Sequence, residues 1–362
     1  MRPPVQILLP VAVTRYEEIE MGIVPILVTA VNAVMPVVLL ILLGYLLKQS
    51  GFLSKDFVKT GNKLVFNVCL PCMLFINVYD IAGFSSINWD IVIYCVVMLL
   101  VIFGLGFFTA VLVTKVPERR GVIWQCTFRS NFAIIGLSLA GALGGEEAVA
   151  VAAIVSSFTV PIFNILAVIA LSLFVKDGNA KKTDIRKILG NIAKNPLIIS
   201  VVLGLICLAI RELQIMHFGS AVFTLKVQGK LFYTTLNNLK AIASPFALLV
   251  LGGQFEFSAV RGLLKEIAAG TIWRIVLAPL LGIGGAILLS GSAGILSCGV
   301  NEYPALIAMF GSPVAVSSAV MAGSMGSDEQ LATQLVVWTS LFSILTIFGE
   351  VCLLMAMGLL AV

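Results

Sequence analysis

The chain has 362 residues, of which 60% are hydrophobic and 11% charged, and its mean hydropathy is +1.09. A soluble domain of this size needs more polar material to cover its surface, so the composition excludes one and predicts a multi-pass membrane protein. The net charge of +5 comes from lysines in the loops and does not indicate nucleic-acid binding. The single histidine, His217, argues against a zinc site.

Residues 1–22 are predicted to be an N-terminal tail, because they lack the layout of a cleavable signal. Ten apolar spans follow, and they are predicted at 23–47, 57–80, 88–114, 119–143, 147–175, 195–213, 231–254, 266–290, 300–323 and 332–360. The basic stretch 176–194 divides them into two sets of five, 23–175 and 195–362. The sequence therefore predicts an all-α protein with two five-helix units and a linker.

The loops after the odd-numbered spans are rich in lysine and arginine, whereas those after the even-numbered spans are mostly poor in both. Basic loops tend to stay in the cytoplasm. We therefore expect the linker 176–194 to be cytoplasmic, both termini to lie outside, and the protein to reside in the cell membrane.

Five is an odd number, so the two sets must cross the bilayer in opposite directions, as inverted repeats do. Pro71 and Pro245 lie in corresponding spans, and nearly the same number of residues separates them as separates Asn131 from Ser312. We predict hinges or helix breaks at these two prolines and at Gly136, which follows Asn131 in the fourth span.

The fourth span carries Arg129, Ser130 and Asn131 at its centre. Arg129 lies ten residues past Arg119, which is about 15 Å along a helix and close to the bilayer midplane. A charge there costs from about 3 to above 10 kcal/mol, so such residues usually face a cavity or a partner. We interpret the span as a discontinuous helix lining a polar site. The alternative is a continuous helix with one paired arginine.

The ninth span contains a similar interruption, Gly311-Ser312-Pro313, at a matching position. Proline removes a backbone donor and clashes with the preceding turn. Two interrupted spans at corresponding positions of two halves are the best sequence indication of a transporter's binding site.

The unpaired N–H groups at the ends of broken helices favour an anion. Asn131 could orient a carboxylate, Ser312 and Ser317 could donate hydroxyl groups, and Arg129 could contact the anion or neutralise carboxylates of the site. Three residues are candidates for coupling to an ion or for a second charge contact: Glu302, Glu350 and Lys240. For Glu350, a structural pairing with Arg274 is an equal alternative.

The sequence resembles the auxin efflux carrier family, which includes the plant PIN carriers and bacterial members. The resemblance rests on an ordered set of motifs: Gly44-Tyr45 to Gly51, Asn62 to Pro71, Arg129-Ser130-Asn131 to Gly136, Lys194-Asn195-Pro196 and Gly311-Ser312-Pro313. It implies ten helices in two inverted repeats, a fold similar to bile-acid/sodium symporters, and broken helices 4 and 9 that cross near Asn131 and Pro313. It also implies a scaffold of helices 1, 2, 6 and 7 that forms a homodimer.

Two departures from the family pattern limit the comparison. Leu137 and Ser138 follow Gly136, where many relatives have a proline, and the long cytoplasmic loop of the plant members is missing. Plant hormone specificity therefore does not carry over.

The sequence thus predicts a secondary carrier for a small organic anion, such as a mono- or dicarboxylate. No catalytic residues, cofactor or P-loop are expected, and the coupling ion would be Na⁺ or H⁺. A sodium- or proton-coupled cation antiporter on the same fold is the main alternative, although it would need deep Asp or Glu residues at the crossing. An intramembrane aspartyl protease is a remote one, because Asp80 lacks a second aspartate in a suitable motif.

Overall fold

The computed structural model describes residues 11–80, 88–174, 190, 194–291 and 294–360. Within these ranges every secondary-structure element is a helix, and one isolated β-bridge joins two non-helical segments. The helices are α1 Val11–Gln49, α2 Lys55–Tyr79, α3 Trp89–Val113, α4 Pro117–Phe128, α5 Leu137–Phe174, α6 Pro196–Phe218, α7 Lys230–Gln254, α8 Phe257–Gly291, α9 Glu302–Leu306, α10 Ser317–Ser324 and α11 Glu329–Ala356.

Seven helical stretches in the described part of the chain are long and apolar enough to cross a membrane. They are Lys55–Tyr79, Trp89–Val113, Leu139–Phe174, Pro196–Phe218, Lys230–Gln254, Phe257–Gly291 and Glu329–Ala356. Large apolar side chains such as Leu203, Ile206 and Ile210 on α6 are about half exposed, as expected of a surface that contacts lipid. The molecule is therefore an all-helical, multi-pass membrane protein.

The helix bounds explain why fewer than ten spans are counted. The predicted spans 119–143 and 300–323 are both interrupted, so neither yields one long helix. In α1, the apolar stretch Val34–Gln49 is shorter than the 18 residues required of a membrane-spanning helix, so it is not counted as a span. The helix α1 already includes Val11, before the predicted start at 23.

The predicted boundary between the fourth and fifth spans lies inside α5. Gly144 and Gly145 have non-helical torsions there, and Gly145 has a φ of 66°, a conformation that favours glycine. The chain kinks at this point. The predicted linker 176–194 falls almost entirely outside the described residues.

The helices α1 and α7 pack closely along each other. Gly44 faces the backbone of Leu249, and Gly252 faces the backbone of Ile41, so that a side chain at either glycine would clash with the other helix. The helix α2 packs between α6 and α7. These four helices are thus connected through the contacts of α7 with α1 and of α2 with α6 and α7.

The main apolar core surrounds the two interrupted segments. Phe128 and Phe132 flank the first interruption, and Phe310 and Val314 flank the second, and all four side chains are buried. The interruptions therefore lie inside the protein, where freed backbone groups must find partners within it.

Candidate functional site

The first interruption follows α4. Arg129 has extended torsions (φ −91°, ψ 100°), and Asn131 precedes a π-helical turn over Phe132–Gly136. The Asn131 carbonyl accepts hydrogen bonds from the N–H groups of Ile134, Ile135 and Gly136, at 3.0 to 3.3 Å. Because the chain re-enters a helix at once, only three residues are unwound.

The second interruption follows α9, which continues as a π-helical turn over Ile307–Gly311. Ser312 has extended torsions (φ −62°, ψ 146°), as is usual for a residue before proline. Pro313 cannot continue the helix, and a regular helix resumes only at Ser317 in α10.

The two unwound segments pair with each other as short antiparallel strands. Ser130 and Val314 form the β-bridge, with the Asn131 N–H donating to the Pro313 carbonyl (2.7 Å) and the Ala315 N–H to the Arg129 carbonyl (3.3 Å). Each unwound segment therefore supplies hydrogen-bond partners for some backbone groups of the other. This answers the question left open by the sequence: the arginine lies in a break and not in a continuous helix.

Gly136 permits this close approach. A β-carbon at Gly136 would lie 2.6 Å from the Ala308 carbonyl oxygen on the partner segment, which is too close for any other residue without a shift. Gly136 therefore functions as a packing position between the two interrupted helices.

Arg129 is 3% exposed, and its guanidinium group has only neutral partners. It donates to Asn164 Oδ1 (2.6 Å), to Ser317 Oγ (2.8 Å) and to the Met321 sulfur. Among the described residues no carboxylate forms an ion pair with it. A buried charge without an opposite charge is costly, so this group has a capacity for an anion that the described chain leaves unused.

A cavity of about 40 Å³ lies beside the first interruption, large enough for a water molecule. Its polar wall is formed by Arg129, Ser130, Asn131, Asn164, Ser244 and Ser317, and its apolar wall includes residues of α2, α5 and α7. Asn131 Nδ2 and Ser130 Oγ are buried and have no hydrogen-bond partner in the described structure. A guanidinium and an amide donor thus share one enclosed space.

Arg274 occupies the other side of the paired segments. Its side chain is 1% exposed and donates to the carbonyls of Thr127, Met309 and Phe310. These carbonyls lie at the C-terminal ends of α4 and of the turn after α9, where cations are favoured by the helix dipole. Arg274 therefore holds together the two C-terminal ends.

Glu350 lies against Gly311, where a β-carbon would overlap its carboxyl group. Both carboxyl oxygens are buried and have no hydrogen-bond partner in the described part of the chain. The structure shows no ion pair between Glu350 and Arg274, whose hydrogen bonds go to carbonyls. Arg274 is nevertheless the charged neighbour of Glu350, so the pairing considered from sequence takes the form of an electrostatic interaction without a direct ion pair.

The structure brings together Arg129, Ser130, Asn131 and Ser317 around the cavity. Gly311, Ser312 and Pro313 form the second interruption but do not line the cavity, and Ser312 is fully buried with its hydroxyl unpartnered.

The other candidates from sequence lie outside the cavity wall. Pro71 follows a π-helical turn in α2, whereas Pro245 lies within the continuous helix α7. Glu302 accepts from the Gly299 N–H at the start of α9, and Lys240 has Asp80 and Lys226 as charged neighbours.

Sequence reasoning missed Asn164, Met321 and the role of Arg274. Asn164 is 2% exposed in an otherwise apolar part of α5, three residues after Pro161, and a buried amide at such a position is a detectable signal. Met321 and the carbonyl partners of Arg274 have no sequence signal, because only tertiary packing selects them.

A multi-pass helical protein with two interrupted helices paired around a buried cationic cavity has the features of a membrane transporter. The chain matches the family described as membrane transport protein over residues 29–349, and it belongs to this family, the auxin efflux carrier family that the sequence resembles.

Two archaeal relatives are similar to the chain. One, from Methanothermobacter thermautotrophicus, is named an uncharacterized transporter and is 22% identical over 325 residues, which cover 87% of this chain and 95% of the relative. The other, an uncharacterized transporter of Methanocaldococcus jannaschii, is 24% identical over 252 residues, covering 68% and 76%.

Proposed function

We propose that this transporter is a secondary active carrier of a small organic anion, such as a mono- or dicarboxylate, and that it works by alternating access. The observation that carries the proposal is the buried guanidinium of Arg129, which has three neutral partners and no carboxylate among the described residues. The substrate's carboxylate would supply the missing charge.

The chemistry of the cavity supports an anion over other substrates. A guanidinium presents several N–H donors in a planar fork that matches a carboxylate, and such charge-assisted bonds are stronger than neutral ones. Asn131 Nδ2 is a second donor without a partner in the described structure. Ser130 Oγ and Ser317 Oγ can donate or accept, and so can adapt to the rest of the substrate.

The geometry also suggests how the site could change its access. The cavity lies between the paired breaks and the helices α2 and α7. We propose ten transmembrane helices in two inverted repeats, in which α4 with the start of α5 forms the fourth and α9 with α10 the ninth. The paired breaks would move against a scaffold of α1, α2, α6 and α7, which also forms a homodimer. Substrate would enter when this movement enlarges the small cavity.

The proposed setting is the cell membrane, with the basic loops in the cytoplasm and both termini outside. Membership in the membrane transport protein family and the lysine and arginine distribution support this arrangement.

One observation favours the cation antiporter as a second candidate. The carboxyl group of Glu350, whose oxygens have no hydrogen-bond partner in the described structure, lies against the second break and could bind a proton. In an anion carrier, the same residue could couple proton movement to anion transport. The buried guanidinium in the cavity favours this role over that in a cation antiporter. For an aspartyl protease, Asp80 is poorly placed, because Lys226 and Tyr233 both contact its carboxylate at 3.1 Å.

A ligand screen tests the proposal. Purified protein would be heated with monocarboxylates, dicarboxylates, indole acids or organic amines, with and without sodium and across pH. A carboxylate at 100 times its Kd should add about 2.7 kcal/mol of stability, and transport of that carboxylate would then be measured in proteoliposomes. Stabilisation by amines alone, or by none of the anions, would contradict an organic anion carrier.

A further inference from the structure

A second and larger cavity, of about 540 Å³, opens at the Lys55 end of α2. Its charged lining consists of four lysines and two glutamates: Lys48, Lys55, Lys59, Lys63, Glu256 and Glu329. Both glutamates already have partners. Glu256 pairs with Lys48 at 3.6 Å, and Glu329 Oε1 accepts from Asn62 (2.7 Å) and Gln254 (2.6 Å).

Three of the lysines have no ion pair among the residues that the structure describes. Lys55, Lys59 and Lys63 are spaced four residues apart, so they lie on one face of α2 and repel one another. Lys48 and Glu256 offset each other, and Glu329 has neutral partners, so the lining, with four lysines and two glutamates, keeps a net formal charge of +2. A cavity lined by an excess of one sign of charge concentrates counter-ions, here anions.

The same three helices line both cavities. The helix α2 contributes Lys63, Phe66 and Asn67 to the large cavity and Leu70, Met73 and Leu74 to the small one. The helix α7 contributes its end, Gly253 and Gln254, to the large cavity and its middle, Ser244 and Ala247, to the small one. The helix α10 contributes Ser324 to the large cavity and Ser317 to the small one. Along these helices the lysine-lined cavity therefore lies about one to two helical turns from the Arg129 cavity.

We propose that the lysine-lined cavity is a loading site, which binds the soluble organic anion before it reaches Arg129. This inference rests on the proposed function and adds a second anion site to it. Three unpaired ammonium groups attract carboxylates at long range, and salt screens this attraction. The positive-inside tendency accounts for basic residues on one side of a membrane, but it does not require them to converge on a cavity lined by the same helices as the Arg129 cavity.

Chemical modification measures the potential in the cavity without knowledge of the substrate. Ser324 is an exposed residue of its lining, and Ser324→Cys would be made in a background without the partly exposed native cysteines. Each rate is expressed relative to the rate of the same reagent with a free thiol in solution. On this scale the anionic reagent 2-sulfonatoethyl methanethiosulfonate should react at least about 10-fold faster than its trimethylammonium counterpart. Succinate should slow the anionic reagent, and 0.5 M potassium chloride should reduce the ratio of the two rates.

The triple variant Lys55→Gln, Lys59→Gln, Lys63→Gln should bring the ratio of the two rates close to one. The matched control is Arg261→Gln with Lys265→Gln, which removes two exposed basic residues outside the cavity and should leave the ratio unchanged. Equal rates in the starting protein, or an unchanged ratio in the triple variant, would overturn the loading site.

Two further measurements separate the alternatives. Slower modification in vesicles containing phosphatidylglycerol, with no effect of succinate, would assign the lysines to lipid headgroups and overturn the proposal. In neutral vesicles the triple variant should raise the KM for succinate several-fold with kcat retained. If the unmodified protein transports no organic anion, the proposed function fails, whereas transport with an unchanged KM in the triple variant overturns only the loading site.

Discussion

Arg129 is buried among three neutral groups, and its effect on stability depends on the balance between the cost of desolvation and the gain from its hydrogen bonds. Desolvation of an ion costs several kcal/mol, and each hydrogen bond that a charged group makes returns about 1.5–3 kcal/mol. The bonds to Asn164 and Ser317 thus offset much of the penalty and leave a group that still gains from a carboxylate.

Substitution of Arg129 separates binding from stability. Arg129→Met removes the desolvation penalty and two strong hydrogen bonds together, so we expect the free energy of unfolding to change by no more than about 2 kcal/mol. The thermal shift caused by a carboxylate should disappear in Arg129→Met and Arg129→Ala, and should be smaller in Arg129→Lys. A loss of about 3–5 kcal/mol in the ligand-free protein, as when a buried ion pair is broken, would indicate a structural role instead.

Asn131 and Asn164 form a matched pair for a second test. Asn131 Nδ2 has no partner in the described structure, whereas Asn164 Oδ1 holds Arg129. Asn131→Ala should therefore abolish transport in proteoliposomes with almost no change in melting temperature. Asn164→Ala should lower the free energy of unfolding by about 1–3 kcal/mol, because it leaves a buried donor unsatisfied. If transport is normal in Asn131→Ala, this residue does not belong to the site.

At the scale of the elements, two short unwound segments are stabilised by pairing with each other. Asn131 and Ala315 each donate one backbone hydrogen bond across the pair, and the Val314 N–H donates to Thr339 Oγ1 on α11. Arg274 donates to backbone carbonyls just before each break, those of Thr127, Met309 and Phe310. The breaks are thus held by each other, by Thr339 on α11 and by Arg274 on α8, inside an apolar core.

Gly136→Ala tests this close packing. The added methyl group would meet the Ala308 carbonyl at 2.6 Å, so the two interrupted helices must separate, and we expect a lower melting temperature and weaker carboxylate binding. Gly104 on α3 is the control, since nothing lies within 4 Å of a β-carbon there, and Gly104→Ala should gain up to about 1 kcal/mol from helix propensity. Equal melting temperatures for the two variants would argue against tight packing at Gly136.

The sequence predicted both interruptions because their signals are local. Arg129 and Asn131 are polar residues at the centre of an apolar span, and Pro313 disrupts a helix wherever it occurs in one. The antiparallel backbone pairing of the breaks, the contact of Met321 with Arg129 and the carbonyl partners of Arg274 could not be predicted, because they depend on contacts between residues far apart in the chain. Lys240 shows that a local signal can also mislead: it lies in a polar stretch of the sequence, but it does not line the cavity.

For the whole molecule, the proposed proton coupling depends on how charge is distributed around the breaks. Arg129 lies on the cavity side, while Glu350 lies against Gly311 and has Arg274 as a charged neighbour. Protonation of Glu350 would change the charge beside Gly311 without touching the substrate. This separation is what proton coupling to an anion carrier requires.

Glu350→Gln should retain carboxylate binding but make uptake into proteoliposomes independent of an imposed pH gradient. Glu302→Gln is the control, because Glu302 contacts a loop N–H at the start of α9, and it should keep the dependence. Uptake that responds equally to the gradient in both variants would exclude Glu350 from coupling.

The most direct test of the central claim is an experimental structure with a bromine-labelled carboxylate, chosen from the ligand screen and located by its anomalous signal. We predict that one carboxylate group lies about 2.8 Å from the Arg129 guanidinium, between the two unwound segments and next to Asn131. A label found only outside the helical bundle, with Arg129 paired to a carboxylate of the protein itself, would contradict the account.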